Sequence, residues 1–331
     1  MTYSGVESPK VLVLGGGDLL QVDLDVLEPI REHAEVVVAD SKDSLAREIE
    51  DADVLLVWDF RFAELDELLP SAARLKWIHA ASVGVEPLLT PNLTKQDIVL
   101  TNSRGVFDLA IAEYVLALYL AHLKDLRRSH EYQQEKAWNH RLTQKLAGKK
   151  ALVVGTGSIG REIARLLKAV GTDITLVGRR PLPVDPEFGQ IAQTRDLESL
   201  VSGKDLVVLA APLTEESRGM VDRAVLEAME SDAYLVNVGR GPLIDESALE
   251  EVLTADRIGG AGLDVFVQEP LPSDSQLWEH PRVTVSPHMS ADFEGFDEAL
   301  VEVFLKNLRA WRSGRPFSGV VDHQLGYVPS A

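Results

Sequence analysis

The run ALVVGTGSIGREIARLL, Ala151–Leu167, decides the fold of this 331-residue chain. Ala151 to Val154 form a short apolar stretch of buried-strand character, the stretch breaks at Gly155, and Ile163, Leu166, Leu167 and Val170 then recur at helical spacing. The pattern reads as a strand, a tight turn and a helix. Within it, Gly155 permits the turn, Gly157 lets the backbone approach a pyrophosphate, and Gly160 allows helix and strand to pack closely. Ser158 and Ile159 open the helix, whose N-terminal N–H groups then face the phosphates. A dinucleotide is the implied ligand.

The next strand, DITLVGRR (Asp173–Arg180), bears on which dinucleotide. An NAD-binding unit places an Asp or Glu about 20 residues beyond the glycines, on the ribose 2′-hydroxyl. This chain has Gly178, Arg179 and Arg180 there. A carboxylate would repel a 2′-phosphate, whereas two guanidiniums clamp it through charge-assisted hydrogen bonds and glycine leaves room for it. NADP(H) is therefore the expected cofactor, with NAD(H) as the alternative.

The length suits two domains, and the apolar fraction is ample for two cores. No opening run resembles a signal peptide, and no apolar run reaches membrane-spanning length, so a cytoplasmic protein is expected. Cysteine is absent, which excludes disulfides, thiol catalysis and Cys-ligated zinc; no metal is expected. The net charge of -19 argues against nucleic acid or an anionic membrane as partner, since both would be repelled. The acids are spread along the chain and arginine outnumbers lysine, a pattern that suggests a surface adapted to high salt, where screening removes self-repulsion.

KVLVLGGG, Lys10–Gly17, is a strand entering a glycine turn, but Leu20 stands where a third fingerprint glycine belongs, so a flavodoxin-like strand-to-helix turn is the better reading. Short apolar runs follow at Ala34–Val38, Asp53–Val57, Leu75–Ala80 and Ile98–Leu100, with helical patterns between most of them. This alternation predicts a parallel sheet covered on both faces. The loop HAASVGVEPL leaves the third run, and the N–H groups of Val83 and Gly84 in it are candidates to hold a carboxylate. Thr101–Gln133 is expected to be a long helix after a polar start, apolar over more than one stripe and buried widely, against a second subunit. Leu182–Gln193 contains prolines and reads as a loop, Asp245 caps a helix, and Phe293–Arg312 reads as a helix returning to the first domain. The predicted architecture is α/β, with two Rossmann-like or flavodoxin-like doubly wound parallel-sheet domains. Residues 1–101 with 292–331 form a substrate domain, into which a cofactor domain of residues 102–291 is inserted.

Three polar residues stand just past successive strand-like runs after the fingerprint: Arg240, Glu269 and His288. Strand ends in such a sheet converge on one crevice, so groups distant in sequence meet there. Their chemistry is mutually consistent. Arg240 would bind the carboxylate and polarise the keto oxygen of a 2-keto acid, and His288 would give that oxygen its proton. Glu269 would bond the other imidazole nitrogen, fixing the tautomer and favouring the protonated ring.

NVGRGPLIDESAL, LDVFVQEPLP with SQLWEHPRV, and VSPHMSA resemble the three consecutive signatures of the D-isomer-specific 2-hydroxyacid dehydrogenases. With the glycine fingerprint and the ASVGVE loop, the resemblance covers nearly the whole chain, and the wording around Trp278 and His288 is most similar to glyoxylate and hydroxypyruvate reductases. It implies reduction of 2-keto acids to (R)-2-hydroxy acids with NAD(P)H, by a homodimer. It also implies that Arg240, Glu269 and His288 are catalytic, that Val83 and Gly84 contact the carboxylate, and that Pro212, Val238 and Asp264 lie along the cofactor, Asp264 near the nicotinamide. Some relatives are cofactor-sensing transcriptional corepressors, which is the alternative. Formate dehydrogenases carry glutamine where Glu269 stands, and phosphoglycerate dehydrogenases are often longer, so both fit less well.

Overall fold

The computed structural model of the chain describes residues 8–15, 24–58 and 65–329. In chain order its elements begin with β1 (Lys10–Leu14), α1 (Glu28–Arg31), β2 (Glu35–Ala39), α2 (Lys42–Glu48), β3 (Val54–Val57), α3 (Leu65–Leu68), β4 (Trp77–Ala80), α4 (Pro91–Thr94) and β5 (Val99–Asn102). Next come α5 (Asp108–Leu123), α6 (Leu126–Glu135), β6 (Lys150–Val154), α7 (Ser158–Ala169), β7 (Asp173–Gly178), β8 (Leu182–Asp185), β9 (Gly189–Gln193), α8 (Leu197–Val201) and β10 (Leu206–Leu209). The chain ends through α9 (Arg223–Ala228), β11 (Tyr234–Asn237), α10 (Glu246–Thr254), β12 (Gly260–Leu263), β13 (Val283–Val285) and α11 (Phe296–Arg312). It divides into two compact units, Met1–Val106 with Phe293–Ala331, and Phe107–Asp292. The second unit thus interrupts the first in sequence.

The first unit holds a parallel five-stranded sheet in the order β2-β1-β3-β4-β5, the flavodoxin-like order. Strands β1 and β3 read VLVL and VLLV without alternation, which requires cover on both faces, and every one of these residues is buried. One chain of hydrogen bonds runs through this core. Trp77 Nε1 donates to Thr101 Oγ1 at 2.8 Å, Thr101 Oγ1 lies 2.7 Å from His79 Nδ1, and His79 Nε2 lies 3.2 Å from Ser103 Oγ, which donates to the Ala80 carbonyl. With the Ser103 hydroxyl donating to Ala80, Nε2 of His79 carries the proton, and in the neutral ring that burial enforces Nδ1 accepts from the Thr101 hydroxyl. Burial pushes its pKa down to about 3. The turn after β1, with Gly16, Gly17 and Leu20, lies outside the described residues.

The second unit holds an eight-stranded sheet in the order β13-β12-β11-β10-β6-β7-β9-β8, parallel except for β8 against β9. Strand β6 lies between β7 and β10, so the sheet reverses its winding there, and the turn after β6 opens onto the resulting crevice. Helix α5 packs along α7, burying Ile111, Ala112, Val115, Leu118, Tyr119 and Leu123.

Two expectations are corrected here. The helix expected over Thr101–Gln133 is instead the end of β5, a turn, and two helices parted at Lys124 and Asp125, where Asp125 adopts a left-handed φ of +50°. The apolar run ends at Leu123 and charge follows, so α6 has no buried residue and nothing makes it continue the packed axis of α5. One face of α5 is buried, while Leu109 is exposed. The loop expected over Leu182–Gln193 is a β-hairpin on the sheet edge. Proline is tolerated there because an edge strand turns some N–H groups away from the ladder.

Candidate active site

Each fingerprint glycine has a distinct steric reason. Gly155 has φ +129°, and a Cβ there would lie 2.5 Å from the Ala210 carbonyl oxygen just past β10. A Cβ on Gly160 would lie 2.0 Å from the Gly155 oxygen, so α7 could not approach the turn as it does. At Gly157, the N-cap of α7, a Cβ would meet nothing within 4 Å. The space beyond that backbone is open, and the first N–H groups of the helix face outward without a capping side chain, which fits a dinucleotide pyrophosphate. Ser158 turns its hydroxyl to Asp108 at 3.2 Å, and Ile159 is half-buried.

At the end of β7, Arg179 is half-buried and Arg180 exposed. Gly178 is packed more closely than the sequence implied. A Cβ on it would lie 2.7 Å from Thr156 Cγ2, so the room left by this glycine is taken up by the Thr156 side chain. Past β10, the Pro212 carbonyl accepts from Ser217 Oγ at 2.8 Å, and past β11, Val238 is buried with its N–H on the Leu209 carbonyl.

Arg240, Glu269 and His288 follow β11, β12 and β13, which are neighbours at one side of this sheet. Glu269 and His288 meet: His288 Nδ1 lies 2.7 Å from Glu269 Oε2, while Glu269 Oε1 accepts the Phe266 N–H at 2.9 Å. Burial acts to raise the Glu269 carboxyl, but the bond to His288, the Phe266 N–H and the nearby charges of His288 and Arg240 outweigh it and hold it below the usual glutamate range. Nδ1 being engaged, Nε2 is the nitrogen His288 can present to a substrate. Arg240 leaves a turn shaped by Asn237, whose Nδ2 donates to the Arg240 carbonyl and whose Oδ1 accepts the Gly239 N–H, both at 3.0 Å. Gly241 is obligatory in that turn, because a Cβ would fall 1.9 Å from the Phe266 carbonyl carbon.

Asp264 is almost completely buried, and its carboxylate is committed to the loop that carries His288. It accepts from Ser286 Oγ, from the Met289 N–H at 2.9 Å and from the Ser290 N–H at 3.1 Å. His288 itself sits at φ +55°, a left-handed position that the loop must hold, and its N–H bonds the Asp264 carbonyl. Asn237 and Ser286 were missed as site-shaping residues. The signal for Asn237 was its place two residues before Gly239, where a short amide side chain closes an Asx-type turn.

In the first unit, Val83 and Gly84 follow β4 in a loop fixed through its carbonyls. Asn102 Nδ2 donates to the Val83 oxygen at 2.7 Å, Ser82 Oγ to the Gly84 oxygen at 2.7 Å, and the Ser103 N–H to the Ser82 oxygen at 2.9 Å. Among the described residues no cluster of acids and histidines could hold a metal ion, and no helix is long and apolar enough to cross a membrane.

Comparison with known proteins accounts for this arrangement. Residues 116–290 match the family described as D-isomer specific 2-hydroxyacid dehydrogenase, NAD binding domain. The chain is 31% identical over 303 residues to a glyoxylate reductase of Thermococcus kodakarensis, covering 87% of this chain and 90% of that one. A D-isomer specific 2-hydroxyacid dehydrogenase family protein of Aeromonas salmonicida superposes with a TM-score of 0.83 at 31% identity, over 96% of this chain and all of the other. An NADPH-dependent glyoxylate/hydroxypyruvate reductase of Sinorhizobium meliloti, solved with NADP and sulfate, does so with a TM-score of 0.83 at 25% identity, over 97% of this chain and all of the other. With its fingerprint and its inserted nucleotide-binding unit, the chain belongs to the D-isomer-specific 2-hydroxyacid dehydrogenase family, as an NAD(P)-dependent dehydrogenase.

Proposed function

We propose that this protein reduces a small 2-keto acid to the (R)-2-hydroxy acid and prefers NADPH, acting on a substrate of the glyoxylate or hydroxypyruvate kind. The observation that carries the reading is the 2.7 Å bond between His288 Nδ1 and Glu269, beside the Arg240 turn and in the same sheet as the dinucleotide fingerprint. The names of the Thermococcus and Sinorhizobium relatives support the substrate class. Bound to the fingerprint, the cofactor supplies the hydride. Arg240 binds the substrate carboxylate and draws electron density from the keto oxygen through its planar donors. His288 Nε2 gives that oxygen its proton, and Glu269 offsets the positive charge that the ring carries beforehand. Asp264 holds the loop that positions the ring. The N–H groups of Val83 and Gly84 are a further pair of carboxylate donors in this reading, supported by the fixing of their loop through its carbonyls.

Arg179 and Arg180 support the preference for NADPH over NADH. A homodimer is supported by apolar side chains in open solvent: Trp138 is 99% and Leu142 93% exposed, in the segment that follows α6, a helix with no buried residue. The excess of 52 acidic over 33 basic residues supports a surface suited to high salt. Initial rates with NADPH and with NADH against glyoxylate, hydroxypyruvate, pyruvate and branched 2-keto acids test the function. Turnover of at least one acid with a higher kcat/KM for NADPH is expected. Tight NADPH binding without turnover of any acid would favour the corepressor reading, and light scattering that gave a monomer mass would refute the dimer.

A further inference from the structure

An ion pair outside this mechanism has a buried carboxylate and a partly exposed guanidinium. Asp185, at the end of β8, is 5% exposed, and Arg161, in the second turn of α7, pairs with it through both of its terminal nitrogens, at 3.3 and 2.5 Å. Asp185 Oδ1 also accepts the N–H groups of Glu187 and Phe188 at 3.0 Å, which closes the turn of the β8–β9 hairpin. The remaining donor of the guanidinium, Nε, reaches the Thr156 carbonyl in the fingerprint turn at 3.2 Å, and the Phe188 ring lies under the guanidinium at 5.7 Å. Thr156 in turn packs its side chain against Gly178. Arg161 therefore ties the fingerprint turn to the hairpin that begins immediately after Arg179, Arg180 and Pro181, while Arg165 and Lys168 hold the same hairpin to α7 through Glu187. Residues 179–181 are the link between β7 and β8: both ends lie in the sheet, Leu182 pairing with Ile191, and Asp185 at the far end of β8 carries the tie to Arg161.

We infer that Arg161 and Asp185 are positioning residues for cofactor choice: by locking the β8–β9 hairpin to the fingerprint turn, they fix where Arg179 and Arg180 present their charge, toward a dinucleotide carrying a 2′-phosphate. This inference rests on the reading that those two arginines bind that phosphate. The pairing with Arg161 and the hairpin N–H groups hold the Asp185 carboxyl far below the usual aspartate range, so it is ionised at any working pH. Its charge is neutralised only while the guanidinium stays in place. A bidentate fork with a third donor on a carbonyl is a geometry that neither lysine nor an amide reproduces.

The test uses the full-length protein and steady-state kinetics with both cofactors against one 2-keto acid. Arg161→Gln is expected to raise KM for NADPH by about tenfold, the effect of one lost charge-assisted contact, with KM for NADH and kcat within about twofold of the parent. The double variant Arg161→Gln with Asp185→Asn removes the orphaned charge without restoring the fork, and KM for NADPH is expected to stay raised. A return to the parent KM in the double variant would show that only charge mattered and would overturn the positioning role. Equal rises for both cofactors, or no rise for either, would also overturn it. Should Arg161→Gln fail to fold, Arg161→Lys keeps the charge and loses the fork, and a rise confined to NADPH is again required. Arg179→Ala with Arg180→Ala separates the two claims: if that variant leaves the NADPH to NADH ratio unchanged, the 2′-phosphate reading itself fails, whatever Arg161 does.

Discussion

Replacing Glu269 with glutamine keeps the side-chain shape and removes the charge that faces His288. The carboxylate now uses both oxygens, one on the Phe266 N–H at 2.9 Å and one at His288 Nδ1 at 2.7 Å. An amide has one acceptor for these two partners. If it keeps the Phe266 bond, its NH2 group faces Nδ1 and the charge-assisted bond to the ring is lost. Reduction needs a proton delivered from Nε2 by a ring held at its other nitrogen, so losing the carboxylate at Nδ1 lowers turnover. A hydrogen bond to a charged group contributes about 1.5–3 kcal/mol. Both side chains are more than a third exposed, at 38% and 36%, so solvent screening puts the expected loss near the lower end, about tenfold in kcat/KM. Arg240 and Asp292, the other charged groups acting on this pair, stay in place in the variant. The assay is kcat/KM for 2-keto acid reduction at one pH, parent against variant. An unchanged kcat/KM in the variant would refute the coupling of Glu269 to His288.

Three further outcomes are expected. Arg240→Lys should raise KM for the 2-keto acid and lower kcat together, each by about tenfold or more, because an ammonium cannot make the bidentate pairing; wild-type steady-state constants would refute the role. His79 is neutral in the fold and would ionise once unfolded, so the unfolded chain gains a proton as pH drops below about 6.5 and stability is lost progressively down to about 3, by up to about 1.4 kcal/mol per pH unit. Urea unfolding between pH 7 and 4 should show this slope, and His79→Gln should flatten it; an identical slope in the variant contradicts the assignment. Finally, the midpoint of thermal unfolding should rise in molar KCl as screening relieves acidic self-repulsion, and a midpoint that stays level or falls would remove the case for a salt-adapted surface.

Local signals carried most of what could be read before the fold was known. The fingerprint glycines are legible because each answers a steric demand within a few residues of itself, and the strands are legible because fully buried parallel strands are apolar without alternation. Arg240, Glu269 and His288 are legible as strand-end residues, since the topology of a parallel sheet gathers such ends. What stayed hidden depends on distant partners. The commitment of Asp264 to Ser286, Met289 and Ser290 joins segments more than 20 residues apart, and a buried acid after a strand looks in sequence like a ligand contact. The pairing of Arg161 with Asp185 spans 24 residues and is invisible until the hairpin is seen. That hairpin was concealed by Pro181, Pro183 and Pro186, which mark a loop in most contexts and an edge strand in this one. The break after Leu123 has a weak local sign, the change from apolar to charged residues. Nothing in the sequence required Asp125 to turn left-handed.

The central claim is that His288 delivers the proton in 2-keto acid reduction. Its most direct test is single-turnover NADPH oxidation by His288→Ala beside the parent, with NADPH affinity measured separately by fluorescence. The rate of the chemical step should fall by about 100-fold or more while cofactor affinity stays unchanged. A variant that oxidises NADPH at the parent rate with the same acid would contradict the account.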